Sequence, residues 1–257
     1  MSASVYFLVE NTCHLLRRIQ RLILTIFSKT YLFIYAVLSF SLTYCSETDS
    51  PLLLKAQTVF REIHSGKATS KYSHANQVLY EMNCYGFLNY LIQETSPEAF
   101  REILTAMEEL KETTPPSVDG MPCPFNYAAA LKHQKLKHWE MMKQIEEVQP
   151  GDILIYLPPN FEPQESFEIG QKPPRIHMMV VERVFPSKEN LFHFSIIDCT
   201  RIPHNRIDDT RYPKKSGIGR SSLFLEKRGD DFALRWRADG PVQMKEMVFA
   251  RLRTPPL

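Results

Sequence analysis

The stretch IHMMVVERVFPSKENLFHFSIID, residues 176–198, decides the fold class. Two runs of β-branched and aromatic residues flank a short segment holding Pro186 and Asn190, which predicts two strands paired as a hairpin. Outward from it, DILIYL (152–157), SLFLEK (222–227), FALRW (232–236) and EMVFARLR (246–253) have the same character and are separated by Pro-, Gly- and Asp-rich segments. The region before residue 143 reads differently. PLLLKAQTVFREIHSG (51–66) predicts a helix closed by Gly66, with Val59, Phe60 and Ile63 on one face. In CYGFLNYLIQET (84–95), Phe87, Leu88, Leu91 and Ile92 recur at helical spacing. SPEAFREILTAMEELKE (96–112) offers Ser96 as N-cap, Pro97 at the first helical position and a stripe of Phe100, Ile103, Leu104 and Met107. A Pro-rich link, Thr114 to Pro124, leads to helical material expected around Tyr127 to Met142. Helices first and strands second argue an α+β domain: an antiparallel sheet of about five or six strands, with the early helices packed against it.

Composition narrows the class. With 257 residues, 44% of them hydrophobic and 23% charged, the chain can bury one sizeable core. A formal charge of +2 excludes a strongly basic nucleic-acid binder, so no nucleic-acid partner is expected. That charge is unevenly divided. Residues 1–46 hold Arg17, Arg18, Arg21 and Lys29 against Glu10, a net of +3, which leaves −1 for the rest. All 18 prolines and all 9 glycines also lie after residue 46.

Residues 1–46 therefore read as a signal peptide or membrane anchor, and 47–257 as one domain. A basic start precedes an apolar run from Tyr31 to Leu42, the length of a signal-peptide core. Extended back to Ile23 the run becomes span-length, with Lys29 inside it, so an uncleaved anchor is an alternative. Cys45 suggests lipidation, although Tyr44 stands where a lipoprotein signal has a small residue. The positive flank orients the amino terminus to the cytoplasm and the domain outward, which predicts a periplasmic or membrane-anchored protein facing the periplasm.

Three cysteines remain in the domain, Cys84, Cys123 and Cys199, so at least one thiol is left out of any pair within the chain. Cys84 follows a plausible cap, Asn83, at a helix start. There the macrodipole and the unpaired N–H groups favour a thiolate. His177 opens the strand after the Pro158 to Arg175 loop, and Asp198 ends the next strand. A hairpin would bring the two together, with the carboxylate fixing one imidazole nitrogen and the other facing the thiol. The bland alternatives are a buried structural thiol and a strand-end acid bonding loop N–H groups. Cys199 should point to the opposite face from Asp198, packed or paired with Cys123.

MNCYGFLNYLI (82–92), VQPGDILIY (148–156) and IHMMVVERV (176–184), in that order, resemble the papain-like NlpC family of bacterial cell-wall cysteine endopeptidases. Cys84 matches the family's nucleophile, Pro150-Gly151-Asp152 its turn before the first strand, and His177 its base. The match covers roughly residues 72–200. Asn83 stands where the family has Asp, Tyr85 where it has Ser, and Asp198 where it usually has His, Asn or Gln, which marks an outlying branch. The resemblance implies a papain-like fold and a peptidoglycan stem-peptide substrate cut through a Cys84–His177–Asp198 thioester mechanism. Two alternatives stay open: an amidase or acyltransferase on the same dyad, and a catalytically inactive, membrane-tethered binding module.

The polar loop Thr200 to Ser221 is long for a plain connector. It is either a cleft wall, with His204 touching substrate and Arg220 clamping a carboxylate, or a loop pinned by ion pairs such as Asp209–Arg211. Tyr72 could reach the cleft from upstream of Cys84. No phosphate-binding Gly loop or metal-ligand spacing stands out, so neither cofactor nor metal is expected.

Overall fold

The computed structural model describes residues 50–73, 80–111, 120–159, 175–188, 190–213 and 215–253. The chain divides into two units, Met1–Thr48 and Asp49–Leu257, and the described residues belong to the second. The expected export segment and most of the Pro158 to Arg175 loop lie outside them. Among the described residues, no helix is long and apolar enough to cross a membrane.

Four helices come first: α1 (Pro51–His64), α2 (Cys84–Thr95), α3 (Pro97–Glu109) and α4 (Pro124–His133). Pro51, Pro97 and Pro124 each sit at a helix start, where the missing N–H costs nothing. Asn83 caps α2, its Oδ1 accepting from Gly86 N at 2.8 Å. Ser96 precedes α3, but its hydroxyl makes no capping bond. The helical material expected through Met142 stops at His133. Trp139–Met142 is instead a strand, β1, registered against Phe249–Leu252. Its partner stands far downstream, so no local period marks it.

The remaining strands are β2 (Ile153–Leu157), β3 (His177–Lys188), β4 (Leu191–Thr200), β5 (Gly217–Arg228), β6 (Asp231–Arg235) and β7 (Gln243–Leu252). All pairings are antiparallel, in the order β1-β7-β2-β3-β4-β5-β6, and β6 also pairs with β7. The class is α+β as expected. Six strands close into a barrel that the sequence pattern does not reveal.

Closure explains the unbroken apolar runs. Along β3, Met178 and Val180 belong to one core, shared with α1, α2 and α4, while Met179 and Val181 belong to a second. The second core also holds Leu154, Tyr156, Phe194, Ile196, Leu223, Leu234, Met247 and Phe249, and fills the barrel. Along β2, β3, β4 and β7 residues alternate between the two. His177 and Asp198 fall on the barrel-interior side, at the end where β2, β4 and β6 finish and β3, β5 and β7 begin.

Two devices anchor the elements around the barrel: a turn at the opposite end, where β2 begins, and a buried helix. Gly151, in the Pro-Gly-Asp turn before β2, has φ +93°, and a Cβ there would stand 2.3 Å from that of Ser50. Asp152 accepts from Gln149 N and pairs with Arg251 at 2.8 Å. On the other side, α2 is anchored by fully buried Phe87, Leu88, Leu91 and Ile92. Phe87→Ala, one turn below Cys84, is expected to lower stability by about 3–5 kcal/mol, read from urea unfolding at pH 7.

Candidate active site

The residues singled out at Cys84, His177 and Asp198 come together at this barrel end. Cys84 is the first residue of α2 and is 6% exposed. His177, the first residue of β3, is near enough to Cys84 for the thiol's charge to raise the imidazole. His177 Nε2 in turn lies 2.5 Å from Asp198 Oδ2. The carboxylate holds one ring nitrogen, which leaves the other for the thiol.

Asp198 is fully buried and serves more than one partner. Oδ2 also lies 2.7 Å from His204 Nε2, and Oδ1 stands 2.9 Å from Arg211 Nη1. Arg211 is gripped by Asp209, Nε to Oδ1 and Nη2 to Oδ2, both at 2.9 Å, and donates to the Gly217 carbonyl. Asp209 also accepts from His204 N at 2.8 Å. The loop between β4 and β5 is therefore pinned by its own ion pair and delivers His204 and Arg211 to Asp198. Gly219, the cross-strand partner of Asp198, makes room: a Cβ there would stand 2.7 Å from the Arg211 side chain. The expected loop is shorter than foreseen, because Gly217–Ser221 is strand.

The charges follow from this geometry. Burial alone would raise the Asp198 carboxyl, but Arg211, His204 and His177 together hold it well below its ordinary range. Burial would lower His177, but the Cys84 charge, then the Asp198 and Cys84 hydrogen bonds, raise it to about 9. His204 is lowered, first by burial, with the neighbouring His177 and Arg211 charges adding to it against the pull of Asp198. The set therefore favours a carboxylate at Asp198, biases His177 toward its protonated form and biases His204 toward its neutral one.

Aromatic rings frame the site. His204 lies flat on Trp236, centroids 3.5 Å apart and planes 6° apart. Tyr156 meets His177 at 5.7 Å and Trp236 at 6.4 Å. Tyr72 is half-buried, and its phenol is raised, mainly by burial and next by the Cys84 charge. Arg220 is not brought to the triad. It pairs with Glu182 and stacks on Phe60 of α1, on the helix-facing side of the sheet. Cys123 and Cys199 are free thiols, so the alternative disulfide is not formed. Cys199 donates to the Met82 carbonyl from the opposite face to Asp198, as strand alternation requires. Burial raises both thiols.

His177, Asp198 and His204 are also close enough together to hold a metal ion. Their spacing is that of hydrogen bonds, however. Ligands about 2.0–2.2 Å from a zinc ion stand roughly 3 Å or more apart, whereas both histidines approach a single oxygen at 2.5 and 2.7 Å. The Arg211 cation on the other oxygen adds repulsion. The set is built to orient imidazoles.

Sequence reasoning missed the Asp198–His204 and Asp198–Arg211 contacts, and Tyr156 and Trp236 altogether. Their approach depends on barrel closure and on the Asp209 anchor, and neither leaves a local signature. In comparison with known proteins, the chain matches no family model, no curated protein and no solved structure.

Proposed function

We propose that this protein is a cysteine hydrolase of papain-like architecture that cleaves an amide or peptide bond through a thioester on Cys84. The observation that supports this most is the grouping of the thiol at the start of α2 with His177, whose ring nitrogen bonds a fully buried carboxylate. Cys84 sulfur attacks the carbonyl carbon, forming the S–C bond and placing the electron pair on oxygen. The backbone N–H groups at the start of α2, its positive end, are the groups we assign to that developing charge. Collapse breaks the C–N bond, and His177 gives its proton to the leaving amine. His177 then takes a proton from water, whose oxygen attacks the thioester and releases the acid and the thiol. Asp198 stays ionised throughout and holds the imidazolium.

The substrate we favour is a peptidoglycan stem peptide, reached after export directed by residues 1–46. The support is the resemblance of the three ordered blocks around Cys84, Gly151 and His177 and the basic-then-apolar character of the leader. Purified wall fragments incubated with the protein and quenched in acid should leave an acyl group on Cys84, visible by mass, and new amine and carboxyl ends. Intact fragments and an unmodified thiol would count against the assignment. A reporter fused to residues 1–46 should leave the cytoplasm.

A pH profile follows. The leaving amine needs the proton on His177, so kcat/KM should fall as pH rises through about 9, where His177 loses it. Asp198→Asn removes a charge that supports that proton, so the alkaline limb should move to lower pH. An unmoved limb would exclude Asp198 from this role.

A further inference from the structure

Lys245 of β7 is a buried cation that the mechanism above does not use. Its side chain points the same way as Met247 and Phe249, into the barrel, and it is 6% exposed. It opens the same barrel end as His177, because β7 begins there. Nζ donates to the Arg175 carbonyl at 3.0 Å and lies 4.9 Å from the centre of the Tyr156 ring. Tyr156 packs against His177. Its phenol is raised mainly by burial and next by the charges of Cys84 and Asp198. The ammonium is therefore one aromatic ring away from the imidazole. Among the described residues no carboxylate pairs with it, while every other buried cation or imidazole at this end is matched to Asp198 or Asp209. Burial, and then the Arg175 charge, lower its pKa. A buried ammonium without a carboxylate near a low-dielectric mouth costs free energy that a bound anion would recover.

We propose that Lys245 forms a subsite for a carboxylate on the substrate, next to the scissile bond. The ligand class is an acylated amino acid or peptide with a free carboxylate one residue from the carbonyl that Cys84 attacks. This rests on the cysteine-hydrolase reading and gives to Lys245 the recognition role that the sequence suggested for Arg220. A lysine suits the place because a compact ammonium can hold a backbone carbonyl, a ring face and one anion at once.

The test uses two alkylating reagents that differ in one charge, N-bromoacetyl-alanine and its amide, on the full chain. In each, Cys84 sulfur forms a bond to the methylene carbon and bromide leaves. Mass analysis of the Cys84 peptide gives the ratio of the two rates. The ratio should favour the carboxylate reagent and fall about tenfold or more in Lys245→Met, while Lys245→Arg keeps most of it. An unchanged ratio in Lys245→Met would overturn the subsite. The ratio can be read whether Cys84 reacts fast or slowly, so a failure of the subsite is distinct from a failure of the nucleophile. A second measurement needs no substitution. N-acetyl-alanine should protect Cys84 of the wild-type chain from the amide reagent, and N-acetyl-alaninamide should not. Equal protection by the two, or none, would also overturn it.

Discussion

Replacing His177 with alanine is expected to lower amide hydrolysis by about 10²–10⁴-fold. It should also slow alkylation of Cys84 at pH 6 about tenfold or more. The two readouts separate two jobs. The first reports loss of the proton donor to the leaving amine. The second reports loss of the imidazole that stands beside the sulfur and assists its attack. His204→Ala should not reproduce the second effect, because His204 bonds Asp198 and is lowered rather than raised. Similar alkylation in His177→Ala and the wild type would remove His177 as the base.

The second large effect is on stability. Asp198→Ala should cost about 3–5 kcal/mol in urea unfolding at pH 7, because it strands buried charge. Arg211 loses one carboxylate and keeps only Asp209, and two imidazoles lose their shared acceptor. The pH dependence has a definite sign. Asp198 is held below its ordinary range in the folded protein, so its contribution is present above the unfolded carboxyl value of about 3.9. It is lost as pH falls through the lower folded value. His177 runs the other way. Its folded value of about 9 lies above the unfolded one, so its contribution is full below about 6.5 and is lost as pH rises through about 9. The difference between wild type and Asp198→Ala should therefore be largest around neutrality and shrink in acid. A difference that grows in acid would mean the carboxylate is not the group that holds these charges.

Local signals carried much of this architecture. The start of α2 was legible because its cap lies within Asn83 to Gly86. The β3–β4 hairpin was legible because both strands and their turn fall within residues 176–198, and that hairpin already places His177 near Asp198. Illegible features all depend on distant partners. Trp139–Met142 becomes a strand only through Phe249–Leu252. The barrel closes through Phe232–Leu234 against Gln243–Lys245, and nothing in those residues distinguishes a closed sheet from an open one. Strands apolar on both faces carry no period that separates a helix-packed side from a barrel interior. In the site, Asp209–Arg211 was recognisable as a sequence-local ion pair, but its delivery of Arg211 and His204 to Asp198 was not. Arg220 was placed in the cleft for its charge, whereas its strand position turns it toward Phe60 and Glu182.

The central claim is that Cys84 is a nucleophile held by His177, and the most direct measurement is the rate at which each thiol of the wild-type chain is alkylated at pH 6, resolved by peptide mass. Cys123 is the informative comparator, because it is half-buried where Cys84 is buried. Exposure alone would make Cys123 the faster of the two. We predict that Cys84 reacts about tenfold faster or more than Cys123 and Cys199. Equal, slow alkylation of all three, or a faster Cys123, would contradict it.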